Sequence, residues 1–193
     1  MSSHKGFPLV SGHLSLDLVN TELVKRGVRH DLLATERGLA DWIKLMKQSS
    51  RLFSHLFEEK HLLSHGMPMP ELKELRIFLR EGFDAVADGK RLEETWISHL
   101  EDLIKQAPLT FKLIEGSLLP VPVGATEDAI VSLIAFDALQ LLAKGELLSL
   151  QRCANPDCVL LFMDTTGRRK WCSMKVCGNR TKVARHQIRR KEN

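Results

Sequence analysis

Cys153-Ala-Asn-Pro-Asp-Cys158 and, thirteen residues further on, Cys172-Ser-Met-Lys-Val-Cys177 hold all four cysteines of this 193-residue chain. Two close pairs at this separation form a metal-binding pattern, because each C-x4-C turn can offer two thiolates and the intervening segment can return the chain so that four sulfurs meet at a tetrahedron. Asn155-Pro156-Asp157 supplies turn residues where the first loop must bend. The spacing predicts an outward strand over 159–163, a turn over 164–167 and a return strand over 168–171. Disulfides are the alternative, but they suit secreted chains, and Met1-Ser-Ser-His-Lys-Gly-Phe-Pro-Leu-Val10 lacks the apolar run of a secretory signal. A catalytic zinc keeps one position open for water, whereas Cys153, Cys158, Cys172 and Cys177 would fill the shell, so the expectation is one structural Zn2+. A segment this small has little core of its own, and metal binding must then provide much of its folding free energy.

Charge divides the chain at the same place. Residues 151–193 carry 11 basic and 3 acidic side chains, a net +8, while the first 150 carry 17 basic and 21 acidic, a net −4. Such asymmetry points to a polyanionic partner for the basic part. Beyond Cys177, a helix at about 100° per residue would gather Lys182, Arg185, His186, Arg189 and Arg190 within an arc of roughly 140°. Arg168, Arg169 and Lys170 would extend that patch, and Asn179 and Arg180 could read base edges. A solvated charged face is the plainer reading of the same residues, and Asn179 could equally be a helix cap.

The first 150 residues show helical periodicity. A first helix holds Leu14, Leu16, Leu18 and Val19 and ends near a Gly27 turn. Thr35 is placed to cap a second, striped by Leu39, Trp42, Ile43 and Met46. A third stretch covers 51–65. After the break at Gly66-Met-Pro-Met-Pro70, Pro70 opens a helix with Leu72, Leu75, Leu79 and Val86, closed by Asp88-Gly89. Leu92, Trp96, Leu100, Leu103 and Ile104 mark another, stopped by Pro108. Glu115-Gly116-Ser117 turns a hairpin whose second arm, with Pro120 and Pro122, is confined to an edge. Thr126 is the expected N-cap of a helix over 129–142 that is apolar nearly all round, and such a helix belongs at the centre of a core. It is too short and too polar to span a membrane. Trp42, Trp96 and Trp171 are expected as core aromatics. His61 and His65, four apart, lack the second pair a metal site would need.

The expected fold is therefore mainly α (α+β): a helical N-terminal domain with a small β-hairpin over 1–148, then a small four-cysteine module of zinc-ribbon or treble-clef type over 149–193 that ends in a basic helix. Asp17, Asn20 and Thr21 are spaced to share one helix face and could converge on a polar ligand; local capping or a buried hydrogen-bond network accounts for them as well.

The run Cys177-Gly178-Asn179-Arg180 resembles the signature of the CGNR zinc finger. Cys153-x4-Cys158, Phe162-x-Asp164, Arg169-x-Trp171-Cys172-Ser173-Met174 and Lys182 extend the match. In that family the finger follows a helical domain called ABATE, whose opening is similar to Leu14-Ser-Leu-Asp17-Leu-Val-Asn20-Thr21 followed by Asp31-Leu-Leu33. The resemblance implies a stress-induced transcription regulator in which Asp17, Asn20 and Thr21 belong to an effector site.

Three functions follow as expectations. The first is a zinc-dependent regulator in the cytoplasm, bound to the nucleoid when on duplex DNA, whose helical domain senses a small-molecule effector or forms a homodimer. The second is an RNA- or protein-binding adaptor using the same finger. An enzyme in the N-terminal domain has least support, because the chain has no nucleophile elbow, phosphate loop or catalytically spaced His/Cys pair.

Overall fold

A computed structural model describes residues 6–25, 27–49, 69–114 and 116–179. The stretch 51–65, the histidines at 61 and 65, and the basic residues from Arg180 onward lie outside these residues.

Helix α1 (Leu14–Val19) is followed by strands β1 (Glu22–Lys25) and β2 (Val28–Asp31), which pair antiparallel from Glu22↔Asp31 to Lys25↔Val28. The first helix is thus shorter than its apolar pattern suggests. It stops at Asn20, and the residues that would have continued it form a hairpin turned at Gly27, whose φ of +78° suits glycine. Helix α2 (Glu36–Ser49) starts as expected, with the Thr35 hydroxyl accepting the Gly38 N–H at 3.2 Å.

Helix α3 (Met69–Ala87) carries Pro70 in its first turn and buries Leu72, Leu75, Leu79 and Phe83. It ends where Gly89 adopts φ +77° and the Lys90 N–H reaches back to the Ala85 carbonyl at 2.9 Å. Helix α4 (Glu94–Gln106) crosses α3 at Gly82, where a Cβ would collide with the indole of Trp96. Strands β3 (Leu109–Ile114) and β4 (Ser117–Pro122) form the expected hairpin, in register from Leu109↔Pro122 to Ile114↔Ser117.

Helix α5 (Thr126–Ala143) begins at Thr126 itself, with Ala125 as the extended N-cap residue. Thr126 is therefore not the cap, and the first-turn Glu127 and Asp128 supply the favourable charge at that end. The helix buries Ile130, Val131, Leu133, Ile134, Ala135, Ala138 and Leu141, and the buried hydroxyl of Ser132 donates to the Ala107 carbonyl at 2.8 Å. Helices α1, α3 and α4 pack around it. Within α1, the Ser15 N–H and hydroxyl both donate to Asp137 of α5, at 2.8 and 2.6 Å, so that carboxylate caps α1 from outside.

A 3-10 turn (Glu146–Ser149) leads into β5 (Leu150–Arg152), which pairs antiparallel with β6 (Leu161–Met163). The strand after Cys158 thus joins the one before Cys153, and the expected return strand over 168–171 does not form. Asp164 explains the difference. Its buried carboxylate accepts the backbone N–H groups of Thr166 and Arg169 and the Thr166 hydroxyl, folding 164–169 into a side-chain-capped loop whose donors are no longer free for a ladder.

Candidate metal centre and the seam around it

The four sulfurs come together from three backbone devices. Cys158 closes a tight turn, its N–H donating to the Asn155 carbonyl at 2.9 Å, while the Cys153 N–H donates to the Leu160 carbonyl at 3.3 Å. Ala154 N–H to the Lys170 carbonyl, at 2.8 Å, draws the returning segment alongside, so that the Cys172 N–H points at the Cys153 sulfur at 3.4 Å. Cys177 lies in the helical turn Met174–Gly178, capped by Ser173, whose hydroxyl accepts the Val176 N–H at 3.0 Å.

The result fits zinc. A regular tetrahedron with Zn–S bonds of about 2.3 Å has S···S edges of about 3.8 Å. The Cys158 and Cys172 sulfurs are 3.9 Å apart, and all four lie within 4.8 Å of one another with no disulfide among them. Left to themselves the thiols titrate against each other: the hydrogen bond from Cys172 pushes Cys158 down to about 5, the same contact pushes Cys172 up, and burial pushes Cys177 up to about 11. One thiolate is favoured at the expense of its neighbours, and a divalent cation is what allows four to coexist. The cysteines form a zinc-binding module that Cys153, Cys158, Cys172 and Cys177 would hold closed.

The module's apolar core joins three cysteines to Leu160 and Phe162, with Trp171 and Val176 against them, and it also takes in Leu23 of β1. Conversely, Leu150 and Leu161 belong to the helical core. The two cores therefore interleave. Arg169 places its guanidinium over the Phe162 ring, 4.6 Å from the centroid, and donates to the carbonyls of Met163 and Cys172. Arg168 and Lys170 beside it, and Asn179 further on, are exposed.

The polar triplet near the N-terminus is buried and finds partners in the protein. Asn20 is fully buried: its amide donates to the Leu161 carbonyl at 2.9 Å and its oxygen accepts the Leu161 N–H at 3.0 Å, so the side chain pairs with β6 as another strand would. Thr21 donates to the Leu18 carbonyl at 2.7 Å and accepts from Arg76 at 3.0 Å. Asp17 accepts the Ser11 hydroxyl at 2.6 Å. Burial, aided by the charge of Asp137, pushes its carboxyl up to about 6 against the pull of Ser11. Asn20 and Thr21 thus make their hydrogen bonds to different neighbours from Asp17.

Two arginines that the sequence reading passed over complete this seam. Arg76 is buried and holds Asp31 with two nitrogens, at 2.6 and 2.8 Å, and that hydrogen bonding holds the Asp31 carboxyl below its ordinary value. Arg80 donates to the Val19 carbonyl at the end of α1, at 2.7 Å, and to the Val159 carbonyl inside the module, at 2.6 Å. Burial lowers its pKa, with Asp84 and Glu22 opposing. At the outer edge Arg152 of β5 binds Asp84 of α3 at 2.7 Å and Asp88, in the turn just after α3, at 2.8 Å. Both α3 arginines stand on an amphipathic helix where a charge is ordinarily solvated, so only their spacing of four could have drawn notice.

Among the described residues no helix is long and apolar enough to cross a membrane. A family model for the CGNR zinc finger matches residues 149–190, and a second, the ABATE family, described as "Putative stress-induced transcription regulator", matches residues 12–145. Neither is an enzymatic kind. No curated protein matches the chain. With one model covering most of the helical part and the other the cysteine module, the chain belongs to the ABATE family and carries a CGNR zinc finger after that domain.

Proposed function

We propose that this protein is a zinc-dependent, DNA-binding transcription regulator whose zinc finger carries a basic segment onto duplex DNA while the ABATE domain receives a signal or dimerises. The observation behind this reading is the concentration of +8 net charge in residues 151–193, on a module held by four thiolates. The charge is not wholly consumed by the fold. Arg152 and Arg169 are engaged with protein groups, but Arg168, Lys170 and Lys175 stand exposed around the metal centre, next to Asn179. Contacts of this kind follow phosphates, and the zinc site fixes their spacing. Arg180, Lys182, Arg185, Arg189 and Arg190, with His186 among them, add further positive charge in the sequence beyond Asn179. A cytoplasmic location accords with this role.

Titration of duplex DNA at several salt concentrations tests the reading. The logarithm of affinity should fall with the logarithm of salt at a slope of about −0.9 per phosphate contact. Replacing Arg185 and Arg189 by Ala should flatten that slope by roughly two units on every sequence, whereas Arg180→Ala should cost roughly 1 to 3 kcal/mol on a selected site and much less on random DNA. Chelation of zinc should abolish both kinds of binding. Salt-independent binding, or binding that survives chelation, would refute the proposal, and a preference for RNA or protein would favour the adaptor reading.

A further inference from the structure

Three of the four zinc ligands are enclosed: Cys172 is 0%, Cys177 1% and Cys153 7% exposed, while Cys158 is only half-buried. Cys158 and Cys177 both line a cleft of about 270 Å³ between the arm at residues 6–8, strand β1 and the two cysteine turns, but of the two only Cys158 has appreciable exposure. The cleft's apolar wall comes from Phe7, Leu23, Leu160 and Val176, and its charged groups are Lys25, Lys175 and Asp157, a net positive rim. A cysteine that is partly exposed in an electropositive pocket is reactive, whereas enclosed cysteines are inert. The volume and the apolar wall suit a compact organic molecule better than a solvated ion.

We propose that Cys158 is a modification site for a small soft electrophile of the α,β-unsaturated carbonyl class, and that its modification opens the zinc site. In this addition the Cys158 sulfur forms a bond to the β-carbon of the electrophile. The carbon–carbon π pair shifts to join the α-carbon to the carbonyl carbon, and the carbonyl π pair moves onto oxygen. The resulting enolate takes a proton from water at its α-carbon, leaving hydroxide and restoring the carbonyl. The sulfur ends as a neutral thioether and is lost as an anionic donor, so Cys153, Cys172 and Cys177 remain without the fourth thiolate that closes the tetrahedron. Because Leu160 lies both on the cleft wall and in the apolar core of the module, a ligand lodged there also presses on the packing that holds the other three cysteines. This site is independent of the DNA-binding reading and would exist in an adaptor as well.

The test treats the zinc-loaded full chain with a limiting amount of N-ethylmaleimide, maps the adduct by peptide mass spectrometry and follows zinc release with a chromophoric indicator. Cys158 should be labelled at least about tenfold ahead of the other three cysteines, with one zinc released per adduct. A Lys175→Glu chain, verified as folded by circular dichroism, should react about threefold more slowly because the rim loses its positive charge. A first adduct on Cys153, Cys172 or Cys177, an adduct on Cys158 that leaves zinc bound, no adduct at all on the native chain, or an equal rate in Lys175→Glu would overturn the proposal. None of these readouts involves DNA, so failure here leaves the regulator reading standing and the reverse.

Discussion

Asn20→Ala removes one side chain and strands two backbone groups. Asn20 and Leu161 are fully buried, and the amide satisfies both the N–H and the carbonyl of Leu161 at 3.0 and 2.9 Å. Leaving a buried polar group unpaired costs about 1 to 3 kcal/mol, so the pair bounds the loss at about 2 to 6 kcal/mol, with about 3 as the central expectation. For a chain of this size 1 kcal/mol moves the melting temperature by about 2 to 4 °C, giving a fall of about 6 to 12 °C. Thermal unfolding of zinc-saturated protein, followed by circular dichroism, measures it. The same variant should bind zinc more weakly in a chelator competition, because Leu161 stands three residues after Cys158 and its strand is held to α1 by this clamp. A fall of less than about 2 °C with unchanged zinc affinity would refute the reasoning. If instead the variant keeps its stability but loses a thermal shift caused by a small molecule, the triplet is an effector site after all.

Gly82→Ala should destabilise the fold by about 1 to 3 kcal/mol, since a methyl there overlaps the Trp96 indole at the crossing of α3 and α4; urea unfolding with an unchanged midpoint would contradict this. Asp17 gives a pH dependence: with its folded pKa raised to about 6 from 3.8, its contribution to stability is present below about pH 4 and is lost as pH rises through 6. Asp17→Asn, which keeps an acceptor for Ser11, should therefore match the parent near pH 4 and exceed it by up to about 3 kcal/mol at pH 7.5, and melting curves that stay parallel across that range would dismiss the shift.

What could be read from the sequence was what local chemistry decides. Cysteine spacing located the metal centre, Thr35 and Pro70 located helix starts, and Gly89 and Gly116 located turns, because caps and positive φ act within a few residues. The β1–β2 hairpin escaped because Leu16, Val19 and Leu23 continue a helical period across the end of α1. The helix stops at Asn20, whose buried side chain serves Leu161, a partner 141 residues away. The strand pairing of the module was misjudged for a similar reason. Residues 168–171 had the right length for a return strand, but Asp164 takes the Arg169 N–H and Thr166 the Arg168 N–H locally, and β6 found β5 instead.

The same contacts bear on how the helical domain and the finger work together. The signature residues Asn20, Thr21 and Asp31 are each held in or beside the seam, and each interaction crosses between segments distant in sequence: Asn20 to β6, Thr21 and Asp31 to Arg76 of α3. Arg80 then ties α1 to the module directly, through Val19 and Val159. These are buried donors and acceptors, so displacing α1 by even an ångström would break bonds that water cannot replace. A small displacement at the N-terminal end of the molecule is therefore either resisted or passed on to the strand between Cys158 and Cys172. A ligand whose binding displaced α1 or α3 would therefore be coupled to zinc occupancy through these bonds, and zinc would then change that ligand's affinity by the same factor.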